Sequence, residues 1–268
     1  MKAANFGALM PHLVHAGTRI HYSVMGEGPP LLLHHGSGSN GAVWVQHGYV
    51  RALRSRYRLI LLDARGHGQS DKPHERTSHT LELRVGDVAA VLDALDVERA
   101  HFFGYSMGGW IGFGMAKHAP ERLRSLVIGG AHPFADPFVS GVELEDPNDS
   151  GAFLRAMALV LGEPISAENE RFLLRNDALA VVASLQERVD LGEVLPRIQV
   201  PCLLFAGSKD RRYQLIEQTA HGVPNARFVS LPDLGHVAAL AASDLVLPHV
   251  TSFLSAADSP GPLPFAGR

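Results

Sequence analysis

The sequence is short of cysteine, of net charge and of long apolar runs, and each shortage excludes a class of protein. Its single cysteine, Cys202, excludes a disulfide within the chain. Because Cys202 lies in an apolar run, we expect a buried hydrophobic residue rather than a catalytic thiol. The formal net charge is −3 and no block of lysine or arginine occurs, which argues against a nucleic-acid partner or a polybasic membrane anchor.

Signals for membrane insertion, export and cofactor binding are also missing. No apolar run approaches the roughly 18 residues that a membrane-spanning helix requires. Residues 1–11 contain one lysine and no sustained apolar stretch, so they do not resemble a secretory signal peptide. We therefore expect a cytoplasmic protein that acts on a small molecule and has no membrane partner; the oligomeric state stays open. No H-E-x-x-H motif, Cys/His cluster or P-loop is present, so we expect no metal and no cofactor.

Strand-like and helix-like segments alternate along most of the chain. Apolar or alternating runs predict strands at residues 19–24, 31–33, 58–62, 100–103, 123–128, 201–206 and 227–231. Apolar residues at helical spacing predict helices at residues 81–95 and 110–118. The alternation predicts an α/β fold with a mostly parallel central sheet, helices on both faces, and an antiparallel hairpin of the first two strands at one edge.

Residues 133–190 interrupt this alternation. They contain no convincing strand, and helical spacing is found at residues 151–161, 167–174 and 178–189. We therefore divide the chain into a core of residues 1–132 and 191–268 and an inserted helical cap of residues 133–190.

A nucleophile motif lies between a predicted strand and the helix that follows it. Gly104-Tyr-Ser106-Met-Gly108 has the form G-x-S-x-G, in which the serine occupies a strained strand-to-helix turn. Glycines two positions before and after the serine remove side chains that would collide with the backbone of that turn. The turn exposes the hydroxyl and aims backbone N–H groups at the same space. Ser106 is therefore the candidate nucleophile.

The candidate acid and base follow in the second half of the chain. Asp210 lies in the loop after a predicted strand, from which a carboxylate reaches an imidazole on the next loop. Asp136 and Asp233 compete for this role, but Asp136 opens the cap and Asp233 lies very near the histidine in sequence. His236 follows a glycine after the last predicted strand, which distinguishes it among 15 histidines as the candidate base.

Oxyanion-binding groups and a substrate pocket are predicted around the serine. The loop His35-Gly-Ser37-Gly38 follows a predicted strand, so it would lie beside the nucleophile at the carboxyl end of the sheet. We expect the backbone N–H groups of Ser37 and Met107 to bind a developing oxyanion. The pocket would lie between the nucleophile and the cap. Its predicted apolar lining consists of Trp44, Tyr105, Phe134 and Phe138.

A dinucleotide-binding motif competes with this interpretation. Gly36-Ser-Gly38-Ser-Asn-Gly41 also fits G-x-G-x-x-G, and Asp63 lies 22 residues beyond Gly41. The motif follows the opening hairpin instead of starting a βαβ unit, and Asp63 runs into a loop. Because a dehydrogenase would also leave the nucleophile, acid and base unexplained, we favour a hydrolase.

Over residues 18–254 the chain resembles the α/β-hydrolase superfamily. The order Ser106, Asp210, His236 is the order of nucleophile, acid and base in that superfamily. Asp63-Ala-Arg-Gly-His-Gly-Gln-Ser70 resembles the structural loop that follows the fourth strand of its members. The resemblance implies a serine hydrolase that forms an acyl-enzyme and needs no cofactor. Dehalogenases and epoxide hydrolases of the superfamily use an aspartate where this chain has Ser106.

Within the superfamily the motifs are compatible with several activities. Ser106-Met-Gly-Gly109 resembles enol-lactonases and small carboxylesterases and, together with His35-Gly-Ser-Gly38, the carbon–carbon hydrolases of ring-cleavage products. The chain differs from that last group at Ser39, Tyr105 and Val237. Because no arginine cluster marks an anion site in the sequence, we expect an uncharged ester or lactone as substrate. A carbon–carbon hydrolase and a ligand sensor that retains the three residues are the alternatives.

Overall fold

A single sheet organises the chain. The computed structural model describes residues 11–140, 142–144, 146, 148–185 and 188–259. These residues form an eight-stranded sheet in the order β1-β2-β4-β3-β5-β6-β7-β8. The strands are β1 (His12–His15), β2 (Thr18–Met25), β3 (Pro30–His34), β4 (Arg58–Leu62), β5 (Ala100–Tyr105), β6 (Leu123–Gly129), β7 (Cys202–Gly207) and β8 (Ala226–Leu231). From β4 to β8 all neighbours are parallel, so the predicted α/β fold with a mostly parallel sheet is confirmed.

Ten α-helices occur in the same part of the chain. They are α1 (Ala42–Gln46), α2 (Tyr49–Leu53), α3 (Leu81–Ala94), α4 (Met107–His118), α5 (Ser150–Leu161), α6 (Ala167–Leu173), α7 (Ala178–Ser184), α8 (Tyr213–Gly222), α9 (His236–Ala241) and α10 (Ser243–Asp258). None of these described helices is long and apolar enough to cross a membrane.

The helices cover both faces of the sheet because its central strands are apolar on both faces. In β3, Leu32 packs in one apolar cluster with Val88 of α3 and Ile111 of α4. Leu31 and Leu33 point the other way and pack in a second cluster with residues of α2 and α10. Successive side chains of a strand face opposite sides, so a strand such as β3 requires cover on each side. Cys202 is buried, as expected for a small hydrophobic residue.

The antiparallel edge differs from the predicted hairpin. β2 pairs with β1 and β4, and not with β3. Because β3 is buried on both faces, it takes a position inside the sheet between β4 and β5. β1 was not predicted, since four residues with two histidines carry little strand signal.

Residues between β6 and β7 form the helices α5, α6 and α7, with an apolar cluster of their own. The expected third helix is shorter than predicted, because α7 ends at Ser184. The cap packs on the loop after β3: a Cβ atom at Gly38 would lie 2.7 Å from the Leu173 side chain and 3.1 Å from that of Met157. The division into core and cap stays a prediction; residues 1–10, 141, 145, 147, 186–187 and 260–268 of it lie outside the described residues.

Buried histidines determine how the stability of this fold depends on pH. Burial is the main cause that lowers the pKa of His34 to about 3, and those of His79 and His132 to about 4. Burial lowers the pKa values of His35 and His67 as well. In an unfolded chain a histidine titrates near pH 6.5. Below that pH the unfolded state binds protons that the folded state excludes, so acid favours unfolding.

We expect the free energy of unfolding to fall as the pH drops from about 6.5 toward about 4, by at most about 1.4 kcal/mol per pH unit for each of these histidines. Urea unfolding between about pH 7.5 and about pH 5 measures the slope. His79→Gln should make the slope shallower, whereas His221→Gln, at an exposed position, should leave it unchanged. A midpoint that does not move over this range would contradict the neutral state of these side chains.

Candidate active site

Ser106 lies in a turn that only glycine neighbours permit. It joins β5 to α4 with φ = 54° and ψ = −113°, a backbone conformation that costs a non-glycine residue about 1–3 kcal/mol. A Cβ atom at Gly104 would collide with the carbonyl of Gly108, and one at Gly108 would collide with the carbonyl of His34. The N–H of Ser106 donates to the carbonyl of Gly129 at 2.8 Å, which fastens the turn to β6.

A chain of two hydrogen bonds connects Ser106, His236 and Asp210. His236 Nε2 lies 3.0 Å from Ser106 Oγ, and His236 Nδ1 lies 2.6 Å from Asp210 Oδ2. An ionised carboxylate only accepts hydrogen bonds, so Nδ1 carries the proton and Nε2 is free to accept one from the serine hydroxyl. All three residues are buried, with 8% of Ser106 exposed. The structure thus brings together the three residues that were predicted from the sequence as nucleophile, base and acid.

Two loops at the carboxyl ends of β7 and β8 position the acid and the histidine. Gly207 lies so close to the carbonyl of Leu234 that a Cβ atom would collide with it. The N–H of Lys209 donates to the same Leu234 carbonyl at 2.9 Å. These contacts bring the loop that carries Asp210 to the loop that ends at His236.

The two competing aspartates have other partners. Asp136 forms a buried ion pair with Arg212 at 2.9 Å. Asp233 pairs with Lys209 at 3.0 Å on the surface. Asp210 is therefore the aspartate in contact with His236.

Asp210 is held in its ionised form. Burial alone would raise the pKa of its carboxyl group. The charge of His236, the hydrogen bond to it and the N–H of Arg212 outweigh burial, so the pKa lies below its ordinary value. The N–H of Arg212 donates to the second carboxylate oxygen, Oδ1, at 3.0 Å. Both oxygens are thus engaged, which fixes the plane of the carboxylate against the imidazole.

The loop after β3 lies directly beside Ser106. A Cβ atom at Gly36 would lie 3.2 Å from the Ser106 Cβ and 3.8 Å from its Oγ. Ser37, the next residue, is buried. Met107 is the first residue of α4, where a backbone N–H has no carbonyl within its own helix to bind. Ser37 and Met107, the two predicted oxyanion-binding residues, are thus the sequence neighbours of Gly36 and of Ser106; their binding of an oxyanion stays a prediction.

Two neutral histidines fix the backbone of this loop. His35 Nε2 accepts from the N–H of Ala64 at 3.0 Å, and His67 Nε2 accepts from the N–H of Gly38 at 3.1 Å. Their Nδ1 atoms lie 2.8 and 3.1 Å from backbone carbonyls. A ring nitrogen accepts a hydrogen bond only in the neutral imidazole, in agreement with the lowered pKa that burial gives both residues.

Asp63 has a structural role and does not fit a ribose-binding role. Its Oδ1 accepts from the N–H of Gly41 at 2.7 Å. Its Oδ2 accepts from the N–H of Gln69 at 2.8 Å and from His21 Nδ1 at 2.9 Å. Both oxygens are occupied within the fold, which explains the glycine-rich segment without a dinucleotide.

The predicted pocket lining needs correction. Trp44 is fully buried and packs in the core, with its ring centroid 4.7 Å from that of Phe103. Phe138 is 47% exposed and lies under the Arg211 guanidinium at 4.1 Å. The prediction for Trp44 is wrong, because aromatic character alone does not distinguish core from pocket. A contact of Phe138 with substrate stays a prediction.

The other two predicted lining residues support their surroundings. Tyr105 is 2% exposed, and its hydroxyl donates to the carbonyl of His236 at 2.5 Å. It therefore holds the His236 loop and is not free to line a pocket. Phe134 is half-buried and stacks on His132 with 5.8 Å between ring centroids. A contact of Phe134 with substrate stays a prediction.

Sequence reasoning missed Glu163. This residue follows α5 in the cap, and its carboxylate accepts from the N–H of His236 at 2.8 Å and from the N–H of Val237 at 3.2 Å. Both N–H groups belong to the first turn of α9, where no carbonyl of the helix itself is available. A helix that begins at His236 requires such an acceptor, but no local pattern identifies a residue 73 positions earlier.

Two buried arginines were missed as well. Arg212 is 4% exposed; its Nε donates to Asp136 at 2.9 Å and its Nη2 to the Val160 carbonyl at 2.7 Å. Arg188 is 6% exposed, and its guanidinium lies 5.5 Å from the centre of the Trp110 ring. Arg188 and Arg212 are separated in sequence and come near each other only in the fold, so a search for an arginine cluster along the sequence does not find them.

Comparison with known proteins supports the hydrolase interpretation. The sequence pattern of the α/β-hydrolase fold matches residues 29–161. A protein of Azorhizobium caulinodans named as the carbamate hydrolase RutD is 34% identical, over 83% of this chain and 89% of its own. A 2-hydroxy-6-oxononadienedioate/2-hydroxy-6-oxononatrienedioate hydrolase of Paraburkholderia phymatum is 31% identical, over 81% of this chain and 84% of its own.

A solved structure extends the agreement to the fold. The enol-lactonase of Burkholderia xenovorans LB400 superposes with a TM-score of 0.78 at 25% identity, covering 91% of this chain and all of that one. The relatives are matched over most of their length. The chain therefore belongs to the α/β-hydrolase fold family.

Proposed function

We propose that this protein is a serine hydrolase that cleaves a carboxylic ester or a lactone through an acyl-enzyme. The observation that carries the proposal is the hydrogen-bond chain from Asp210 through His236 to Ser106, with distances of 2.6 and 3.0 Å. In this arrangement a serine hydroxyl becomes a nucleophile at neutral pH.

In the first half-reaction Ser106 Oγ attacks the carbonyl carbon while its proton moves to His236 Nε2. The carbonyl electrons move to oxygen, and the N–H groups of Ser37 and Met107 bind the oxyanion. Asp210 stabilises the imidazolium without accepting its proton. When the oxyanion collapses, the carbon–oxygen bond to the alcohol breaks, and the alcohol leaves with the proton from His236.

In the second half-reaction water replaces the alcohol. His236 Nε2 takes one proton of the water as its oxygen attacks the acyl-serine carbonyl. The second oxyanion collapses, the bond to Ser106 breaks, and the proton returns to Oγ. The products are a carboxylic acid and the regenerated enzyme, so water is the sole co-reactant.

A carbon–carbon hydrolase is the second candidate. A relative with that kind of activity in its name is 31% identical, and the same residues would serve there. The two candidates are separated by comparing kcat/KM for simple esters with kcat/KM for ring-cleavage dienoates. A carbamate belongs in the same panel because of the carbamate hydrolase relative. Repeated turnover of any of these would exclude a ligand sensor.

We expect Ser106→Ala to lower esterase kcat by about 10⁴- to 10⁶-fold while the fold is retained, because the nucleophile is lost. Hydrolysis of p-nitrophenyl acetate and circular dichroism measure the two effects. Ser252→Ala, at an exposed position on α10, is the matched control. Residual activity above about a tenth of wild type would refute Ser106 as the nucleophile.

Asp210→Asn should lower kcat by about 10⁴-fold, because an amide no longer fixes Nδ1–H and the imidazolium loses its counter-charge. The same ester assay measures it, with the surface variant Asp233→Asn as control. Equal losses in both variants would mean that charge near the site matters and that the contact with His236 does not.

Glu163→Ala should lower kcat by about 10- to 100-fold, because His236 loses the acceptor that holds its backbone. Glu163→Gln retains one accepting oxygen and should be less impaired. Since Glu163 contacts backbone N–H groups of the His236 loop, we expect kcat to fall more than KM rises. Glu168→Ala, exposed on the cap, is the control; wild-type kcat in Glu163→Ala would show that the core alone positions His236.

A further inference from the structure

Three buried nitrogen atoms near Arg188 have no protein partner. They are Arg212 Nη1, His132 Nδ1 and Trp110 Nε1, each without a hydrogen-bond partner among the described residues. Each residue is less than a tenth exposed. A buried polar atom without a partner costs about 1–3 kcal/mol, so three in one region require an explanation.

Arg188 adds a positive charge to this region. Its guanidinium lies over the Trp110 ring, and in the described part of the chain it forms no ion pair with a carboxylate. Arg212 is paired with Asp136. Because Asp136 already accepts from Arg212, Arg188 has no carboxylate of its own among the described residues. Burying a charge without a counter-ion is costly. Burial, together with the nearby charge of Arg212, lowers the pKa of Arg188 to about 9. The Arg188 guanidinium therefore stays protonated at neutral pH.

The same residues adjoin the proposed catalytic groups. Trp110 is in the first turn of α4, and its backbone N–H donates to the carbonyl of Ser106 at 3.0 Å. Arg212 donates its backbone N–H to Asp210. Just before His132, a Cβ atom at Gly130 would lie 2.9 Å from His236 Cε1.

We infer that Arg188, with the free donors of Arg212, Trp110 and His132, binds a carboxylate of the substrate. A guanidinium presents a planar pair of donors that matches a carboxylate, and Arg188 has no such partner among the described residues. This inference rests on the proposed serine hydrolase and specifies its substrate class: an ester or lactone that also carries a carboxylate. It replaces the sequence-based expectation of an uncharged substrate.

The test is a matched pair of esters that differ only in charge. p-Nitrophenyl butyrate and the p-nitrophenyl monoester of succinate have acyl chains of equal length, and monoesters of glutarate and adipate extend the series. Acetoxyacetate against ethyl acetate places the carboxylate on the alcohol side instead. We expect the wild-type protein to have a higher kcat/KM for the charged ester in at least one series. The chain length that gives the highest kcat/KM should indicate how far Arg188 lies from the reacting carbonyl.

Arg188→Met should lower the ratio of kcat/KM for charged over neutral ester by about 10- to 100-fold, the loss expected for a charge-assisted hydrogen bond. Arg188→Lys should recover part of the ratio because it restores the charge. Arg175→Gln, exposed on the cap, should leave the ratio at the wild-type value. A ratio that is the same in wild type and Arg188→Met in both series would overturn the inference.

A binding measurement keeps this test independent of turnover. Calorimetric titration of the Ser106→Ala protein with monomethyl succinate and with methyl butyrate, whose acyl chains are of equal length, should show tighter binding of the anion. Adding Arg188→Met should lower the affinity for the anion at least tenfold. Circular dichroism verifies that this variant is folded. Equal affinities for the two ligands would refute the carboxylate site. Failure of every ester to turn over would instead refute the proposed function.

Discussion

The close approach of backbone segments at the carboxyl edge of the sheet is the constraint on which the site depends. Gly104 and Gly108 allow the turn after β5 to pack against itself and against the end of β3, and Gly207 allows the β7 loop to meet the β8 loop. Side chains at these three positions would separate the loops. The hydrogen bonds at 2.6 and 3.0 Å therefore follow from backbone packing as much as from the residues that form them.

A second layer of polar contacts surrounds this edge and uses uncharged histidines. His35 and His67 accept backbone N–H groups, and Asp63 accepts two more. These contacts tie the loop after β3 to the loop after β4. A buried imidazole suits this task because it offers both a donor and an acceptor without introducing a charge. His35 and His67 thus belong to the framework, whereas His236 is distinguished by its place between Asp210 and Ser106.

The parts of the molecule that sequence predicted are those with local signals. Ser106, Asp210 and His236 each follow a predicted strand, and parallel strands bring their carboxyl ends to one edge. We expected β2 and β3 to pair as a hairpin because they are consecutive in sequence. The observed order could not be predicted in this way, because β3 is buried on both faces only in the complete sheet. Trp44 shows the same limit for aromatic residues. Glu163 and Arg188 lie in the cap, where no turn or strand end marks them, and their partners are distant in sequence.

The contact between Glu163 and the His236 backbone ties the segment after α5 to the start of α9. Any change that withdraws Glu163 removes two acceptors from the first turn of α9. Because the proposed base is the first residue of that helix, its position depends on a residue 73 positions away in sequence. A substitution that displaces this distant segment would therefore disturb the proposed base while leaving Ser106, Asp210 and His236 themselves unchanged.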